Sequence, residues 1–204
     1  MKLLEIKEEF ITKGSLLGMP ALFFCFGEKE GSGQEMDVDE LLKTAEKSVM
    51  RYMVVTGELG GQGEELKVFI EGLRNLYRHV VVESDASEYL ELDADLVSLD
   101  LNFRSPGDYG RSVWPKENIN AYLATARETE LRIYIDDEVD LREVFIALSE
   151  HSVPRSKVFL VPTGGTFEEY LESLAFLSKE CLKYSFRLGA RLDHSLDKAQ
   201  KADG

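Results

Sequence analysis

Acidic and hydroxyl residues recur where apolar runs of the sequence end. One such segment, "ESDAS" (83–87), follows a run of valines, and "SLDLN" (98–102) spans the end of the next apolar run. If both runs are parallel strands, their carboxyl ends share one edge of a sheet, so the two segments could bring carboxylates into one cleft for proton transfer. The competing interpretation, which the sequence supports equally, is that Ser84 or Asp85 caps a helix.

Two segments with glycine also follow apolar runs. "TGELGGQG" (56–63) could bring a ligand close to backbone N–H groups. It has neither the Gly-Lys-Ser/Thr of a P-loop nor the spacing of a dinucleotide-binding turn, so a plain strand–helix turn is favoured. "VPTGGT" (161–166) places a glycine pair before a predicted helix, where the first N–H groups would stabilise an anion. The acidic segment "IDDEVD" (135–140) is better explained as a helix cap than as a magnesium site.

Histidine and cysteine form no recognisable site in the sequence. His79, His151 and His194 stand alone, without metal-ligand spacing. Cys25 and Cys181 lie far apart, each in an apolar run, which predicts reduced and buried thiols. A nucleophile elbow of the G-x-S-x-G type is also missing. By motif alone, the sequence names no reaction.

The elements that must position these residues alternate along the chain. Short apolar runs predict strands at 21–26, 52–56, 80–83, 96–99, 131–135 and 158–161, with segments of helical period between them. Capping-box spacing at Asp37 and Glu40, and again at Thr166 and Glu169, marks two helix starts. Strands that are apolar on both faces predict a parallel sheet covered by helices, either open and doubly wound or a partial β/α barrel. In both architectures ligands bind at the carboxyl ends of the strands.

The apolar residues are sufficient for one packed domain. Hydrophobic residues make up 44% of the 204, and we predict a single domain over 1–194 with a polar tail at 195–204. The helix after the second strand is predicted to bury Leu66, Phe69, Ile70, Leu73 and Tyr77. The last helix is predicted to bury Phe167, Tyr170, Leu171, Leu174, Leu177 and Cys181.

The charge of the chain excludes some classes of partner. The formal net charge is -14 and is spread along the chain. Such a surface repels phosphate groups, so we expect no direct nucleic-acid partner and no membrane surface. The opening "MKLLEIKEEF" does not have the pattern of a signal peptide, and no run approaches the roughly 18 apolar residues of a membrane span. These features predict a cytoplasmic protein.

Taken in order, the strand ends resemble one enzyme family. The segments "GSLLGMPALFF" (14–24), "YMVVTGELGGQ" (52–62), "VVVESDAS" (80–87) and "DLVSLDLNFRSPG" (95–107) resemble successive motifs of the 7-carboxy-7-deazaguanine synthases. Residues 131–144 and 158–188 resemble the last two strand–helix units of that family. Its members are radical S-adenosylmethionine enzymes of the queuosine and archaeosine pathways. The resemblance implies a partial (β/α)6 barrel of that type, with a parallel sheet, and a dimer.

Several residues that the family uses are replaced. The family holds a four-iron–four-sulfur cluster with three cysteines in the loop after the first strand, whereas "FGEKEGSGQEM" (26–36) contains none. The segment 56–58 is what is left of the family's Thr-Gly-Gly-Glu-Pro motif, which receives the methionine end of the cofactor. "TKGS" (12–15) stands in place of the Gln-Gly-Glu-Gly substrate turn. Asn102 stands where a lysine is usual, and Asp193 lies near the position of a usual histidine.

These departures predict a pseudoenzyme, a relative without catalytic residues, metal ligands, iron–sulfur cluster or S-adenosylmethionine. It would bind protein, as a homodimer or in a heteromeric complex. The alternative is a cluster-free ligand-binding protein or enzyme with a pocket for a purine-like or nucleoside ligand at the strand ends. The residues predicted to line that pocket are Thr56, Gly57, Glu58, Glu83, Ser84, Asp85, Ser98, Asp100, Thr163, Gly164 and Gly165. An active radical enzyme is disfavoured, because its cluster depends on several thiolates.

Overall fold

Alternating strands and helices make up the computed structural model, which describes residues 1–27, 34–102, 114–149 and 153–193. The strands are β1 (Lys2–Phe10), β2 (Pro20–Phe26), β3 (Gln34–Glu35), β4 (Tyr52–Gly57), β5 (His79–Ser84), β6 (Leu96–Asn102), β7 (Thr129–Ile135), β8 (Val158–Pro162) and β9 (Arg187–Leu188). The helices are α1 (Val38–Lys47), α2 (Gly63–Asn75), α3 (Lys116–Thr125), α4 (Glu138–Ser149) and α5 (Phe167–Tyr184).

The chain packs into two compact units. The first consists of Met1–Ile11, Met19–Leu99 and Glu117–Thr129. The second consists of Thr12–Gly18, Asp100–Lys116 and Glu130–Gly204, so far as those residues are described. The single domain over 1–194 stays a prediction, and the predicted tail at 195–204 lies outside the described residues.

In the first unit the strand order is β3-β1-β2-β4-β5-β6. From β2 to β6 each pair is parallel, whereas β1 runs antiparallel to both β2 and β3. Phe24 and Phe26 of β2 meet Phe69 of α2 edge to face, with ring centroids 5.0 and 6.1 Å apart. The aromatic side chains on one face of β2 therefore pack against α2.

In the second unit the strands β7, β8 and β9 are neighbours in that order, and both pairs are parallel. All five residues of β8 are buried, which is why its sequence shows no alternation. Phe145 of α4 packs against Tyr184 and Phe186, with ring centroids 4.6 and 5.7 Å apart.

The six strands predicted from apolar runs are all present, and the sheet is mostly parallel as predicted. The sequence analysis missed β1, because only Leu3 of its nine residues is buried and its charges hide any apolar run. The antiparallel pairs both involve β1, which is not among the six strands that the sequence predicts. Both lie at one edge of the sheet, where antiparallel pairing needs only a short connection.

The predicted helix starts are confirmed. The Asp37 side chain accepts a hydrogen bond from the Glu40 N–H at 2.8 Å, and Thr166 and Glu169 form a complete capping box at the start of α5. Two burial predictions are wrong. Tyr77 is 96% exposed because α2 ends at Asn75 and the chain turns into a left-handed conformation, and Leu171 is 44% exposed. Within the described residues no helix is long and apolar enough to span a bilayer.

Candidate functional site

A cavity of about 250 Å³ lies in the first unit at the carboxyl ends of β4 and β5. It is lined by Gly57, Glu58, Leu59, Gly60, Ser84, Asp85, Ser87, Glu88 and Leu90. Four of the predicted pocket residues, two from the end of each strand, therefore come together here. Parallel strands bring them to one edge of the sheet, which is the arrangement that the sequence analysis expected.

The turn after β4 depends on a glycine. Gly57 has φ +98°, and a Cβ at this position would collide with the carbonyl oxygen of Phe26. The next residue, Glu58, donates its backbone N–H to the same oxygen at 2.9 Å. A side chain at residue 57 would break this close approach, so the glycine positions Glu58 at the cavity wall.

The segment after β5 is a turn and not a helix start. The Ser84 hydroxyl accepts the Ala86 N–H at 3.1 Å, and the Asp85 carboxylate accepts the Ser87 N–H at 2.9 Å. The interpretation of these residues as helix caps is therefore wrong, since no helix begins here. Short polar side chains that bond the backbone two residues ahead are typical of turns.

Two side chains of helix α3 form hydrogen bonds with the backbone of the segment after β5. The Tyr122 hydroxyl accepts the Leu90 N–H at 3.0 Å and donates to the Glu88 carbonyl at 3.1 Å. The Asn118 amide donates to the carbonyls of Ala86 and Ser87 at 2.8 and 3.0 Å. Burial raises the pKa of Tyr122, so its hydroxyl stays protonated and keeps its donor. Sequence reasoning missed both residues, because α3 is about thirty positions from the loop that it holds.

A second cavity, of about 600 Å³, lies in the second unit beside the turn after β8. It is lined by Asp136, Asp137, Glu138, Thr163, Gly164, Gly165, Glu169, Glu172, Ser173 and Phe176. Three predicted pocket residues are therefore here, in a different cavity from the first group. Its wall carries five carboxylates, although no three acidic, histidine or cysteine side chains in the described ranges are arranged to hold a metal ion.

Two backbone N–H groups of the turn before α5 are bound by a side chain of the same helix. The Glu169 carboxylate accepts the N–H groups of Gly165 and Thr166 at 2.9 and 3.0 Å. These hydrogen bonds lower the pKa of Glu169, so the carboxylate stays charged where an anion would sit. The N–H groups of Gly165 and Thr166 are therefore already occupied by a side chain of the protein. The cap interpretation of "IDDEVD" is confirmed, since Asp137 accepts the N–H groups of Val139 and Asp140.

Asp100 belongs to a third group of side chains, in the second unit. Its carboxylate lies 2.8 Å from the Lys13 ammonium and 2.8 Å from Nε of Arg132, which is 1% exposed. The Tyr134 hydroxyl donates to Asp100 at 3.1 Å and accepts from Lys13 at 2.7 Å. We call these four residues the Asp100 network. The Asp100 carboxylate is therefore committed to contacts with two cations and a phenol.

The segment that carries Lys13 is tied down at further points. The Ser15 N–H donates to the Glu130 carboxylate at 2.9 Å, and the Leu192 N–H donates to the Thr12 carbonyl at 2.9 Å. Gly14 has φ +82° and lies against the Glu130 carboxylate, where a Cβ would not fit. The Thr12 carbonyl, the Lys13 ammonium and the Ser15 N–H are thus engaged within the second unit. Glu130 and Arg132 lie on the same face of β7, and sequence reasoning missed both because charged residues in a strand are usually exposed.

The remaining predicted residues do not line either cavity. Ser98 is 1% exposed inside β6. Thr56 and Glu83 are half-buried at the ends of β4 and β5. Of the three histidines, His79 packs edge to face on Tyr52 at 5.1 Å, while His151 and His194 lie outside the described residues. Most of the loop "FGEKEGSGQEM" also lies outside them, at 28–33.

The two thiols lie in different units and have raised pKa values. Cys25, on β2, is half-buried, and burial with the nearby Glu5 carboxylate raises its pKa. Cys181, on α5, is buried and its sulfur donates to the Arg187 carbonyl at 3.8 Å. Burial raises the pKa of Cys181 to about 11. Both environments favour the protonated thiol over the thiolate that a metal needs.

The described residues form a mixed α/β fold with a mostly parallel sheet. The crystal structure of QueE from Escherichia coli matches the chain with a TM-score of 0.69 over 92% of each chain, at 14% identity. This match confirms the predicted fold class.

In sequence, the chain is similar to two proteins named 7-carboxy-7-deazaguanine synthase. The one from Pyrobaculum aerophilum is 27% identical over 210 residues, covering 94% of this chain and 92% of the relative. The one from Rhodopirellula baltica is 22% identical over 192 residues, covering 80% and 75%. No family model matches the chain. The predicted resemblance to the 7-carboxy-7-deazaguanine synthases is confirmed.

Proposed function

We propose that the chain is a non-catalytic relative of the 7-carboxy-7-deazaguanine synthases that works without an iron–sulfur cluster and acts by binding another protein chain. The observation that carries the proposal is the number and position of the cysteines. The full sequence has two cysteines, and neither is in the loop after β2 where the family has three. Two thiols cannot supply the three thiolates that such a cluster takes from the family's loop.

The surroundings of the two cysteines point the same way. They lie in separate units, one on a strand and one on a helix, and both have raised pKa values. The residues present therefore do not fit a cysteine-bound cluster. Reductive cleavage of S-adenosylmethionine takes its electron from that cluster, so the residues of this chain do not support a radical step.

The Asp100 network supports the loss of the substrate site as well. The resemblance places "TKGS" where the family has its substrate turn. Here Lys13 of that segment is bound to Asp100 and Tyr134, and the Ser15 amide is bound to Glu130. These polar groups of the segment 12–15 form hydrogen bonds within the protein instead of binding a ligand, and these hydrogen bonds stabilise the fold.

A second candidate function, ligand binding, rests on the cavity at the ends of β4 and β5. Its loop is braced by Tyr122 and Asn118, so the cavity is preformed. Its wall offers the carboxylates of Glu58, Asp85 and Glu88. Carboxylates accept hydrogen bonds from ring N–H groups and ribose hydroxyls, which favours a neutral, donor-rich ligand such as a purine or nucleoside.

Anaerobic reconstitution with iron and sulfide tests the first proposal. We expect the protein to stay without the broad visible absorbance of a cluster and to form no 5′-deoxyadenosine from S-adenosylmethionine with a strong reductant. An active 7-carboxy-7-deazaguanine synthase treated in parallel is the control for the procedure. Visible absorbance together with 5′-deoxyadenosine would overturn the proposal.

Thermal shift with a panel of purines and nucleosides tests the second candidate. A ligand at about 100 times its Kd stabilises the folded state by about 2.7 kcal/mol. The shift should disappear in Asp85→Ala and persist in Asp137→Ala, which changes a carboxylate of the other cavity. A panel without any shift would leave protein binding as the function.

A further inference from the structure

The most exposed large apolar side chain of the described residues lies in a strained turn. Tyr77 is 96% exposed and has φ +57°, just after the end of α2. Its N–H donates to the Arg74 carbonyl at 2.8 Å, and the next N–H, of Arg78, donates to the Leu73 carbonyl at 3.3 Å. These two hydrogen bonds form a Schellman motif, in which the left-handed residue is usually glycine. Tyrosine strains the backbone here and adds no packing, so it is a candidate for a role outside the fold.

A second exposed apolar residue belongs to the segment that the next side chain binds. The Arg78 guanidinium donates to the carbonyls of Ser48 and Met50 at 2.8 and 2.9 Å. Val49, between these two residues, is 89% exposed. Both segments lie at the amino ends of the paired strands β4 and β5. One arginine therefore ties together the two backbone segments that carry Tyr77 and Val49, and their positions are fixed before any partner binds.

This part of the first unit is locally positive. Lys47 and Arg51 lie on either side of the bound segment, are exposed, and form no ion pair with another described residue. The Arg78 guanidinium donates to backbone carbonyls and not to a carboxylate. Two carboxylates are close, that of Glu46 in the preceding turn and that of Glu8, which contacts the same segment. In a chain of net charge -14, three cations without a described carboxylate partner favour an acidic partner.

We propose that these residues form a docking surface for an acidic segment of another protein. We call it the Tyr77 surface, and it consists of Lys47, Val49, Arg51 and Tyr77. Apolar side chains of the partner cover the tyrosine and the valine, while its carboxylates face the two cations. Tyrosine and arginine are common anchors of protein interfaces. A nucleic-acid backbone or a layer of lipid headgroups offers negative charge but no apolar side chain to cover this pair. The inference rests on the proposed function and names its surface and the chemistry of its partner.

Glycine at position 77 separates binding from folding. Tyr77→Gly removes the exposed side chain and relieves the left-handed backbone, so the midpoint of thermal unfolding should rise by about 2 °C. Ser185→Gly is the matched control, because Ser185 has φ +58° at the end of α5 in the second unit. We expect its midpoint to rise by a similar amount. A lower midpoint for Tyr77→Gly would show that the tyrosine supports the fold, which would overturn the proposal.

Selection from a phage-displayed library of random peptides of about twelve residues tests the chemistry of the partner. Peptides are selected on the wild-type chain and depleted on Tyr77→Gly, so that those retained depend on the tyrosine. We expect the retained peptides to carry an excess of aspartate and glutamate around aromatic or aliphatic residues. Retained peptides that are neutral or basic, or a selection that retains none, would overturn the proposal.

Fluorescence anisotropy with a retained peptide tests the rest of the surface. Lys47→Glu and Val49→Ser should each weaken binding about tenfold. The matched controls are Lys179→Glu and Leu182→Ser, which change an exposed lysine and an exposed leucine of α5 and should bind as wild type. Unchanged binding by both surface variants would overturn the proposal, and binding of duplex DNA or anionic vesicles that Lys47→Glu abolishes would overturn the choice of partner. A chain that binds the peptide and also holds a cluster would refute the proposed function alone.

Discussion

Replacement of Asp100 by Asn should destabilise the second unit strongly. The Asp100 carboxylate contacts the Lys13 ammonium and the guanidinium of Arg132, each at 2.8 Å. Arg132 is 1% exposed, so water cannot replace the lost negative charge. Removal of one partner of a buried ion pair costs about 3–5 kcal/mol, and we expect about 3 kcal/mol because the amide oxygen can still accept a hydrogen bond.

Equilibrium unfolding in urea measures this effect. The one tryptophan of the chain, Trp114, belongs to the second unit, so its fluorescence reports on the unit that holds Asp100. With the urea dependence usual for small proteins, a loss of about 3 kcal/mol lowers the midpoint by about 1 M or more.

A control lies in the first unit, and its unfolding is followed by far-UV circular dichroism of the whole chain because Trp114 belongs to the second unit. Asp93 also contacts two arginines, Arg74 at 2.6 Å and Arg127 at 2.9 Å, but its side chain is 53% exposed. Asp93→Asn should therefore cost less than about 1 kcal/mol. If Asp100→Asn shifts the midpoint no further than Asp93→Asn, then burial of Arg132 does not govern the energetics and the reasoning fails.

Three further predictions follow from other parts of the chain. Gly57→Ala should destabilise the first unit by about 2 kcal/mol or more in thermal unfolding, because residue 57 has a positive φ and no room for a Cβ, while Gly61→Ala, which meets nothing, should be nearly neutral. Glu169 has a lowered pKa in the folded state, so its contribution is present above its ordinary pKa of 4.5 and is lost as pH falls through the lowered value. The stability gap between wild type and Glu169→Gln should shrink with acidification, and a gap independent of pH would refute the assignment. Cys25 and Cys181 should react slowly with iodoacetamide at neutral pH and fully after unfolding, since burial raises both pKa values, so fast labelling of the folded chain would contradict this reading.

The six central strands and the helix starts could be predicted from the sequence because they depend on local information. A run such as "VFLVP" is apolar at every position, and a buried parallel strand shows the same pattern. The capping box of Thr166 and Glu169 spans three residues and forms within one turn. The order of the motifs was likewise sufficient to predict the resemblance that the comparisons confirm.

Which polar groups meet could not be predicted in the same way. Lys13 reaches Asp100 across 87 positions and Tyr134 across 121, and no local pattern encodes such a pair. The predicted pocket residues consequently divide between two cavities and the Asp100 network. Glu169 lies within reach of the glycine turn in sequence, but only the rotamer of its side chain shows that it fills the predicted anion site.

The sequence by itself determined the fold class and the positions of the six central strands, because these follow from residue type and local periodicity. The tertiary structure alone decided that Asp100 lies between two cations and that the turn before α5 binds the carboxylate of Glu169. Each of these features depends on which residue, distant in sequence or reached by a particular rotamer, comes into contact with the group concerned. That choice follows from packing of the whole chain and from the energetic need to pair buried charges, not from any short segment.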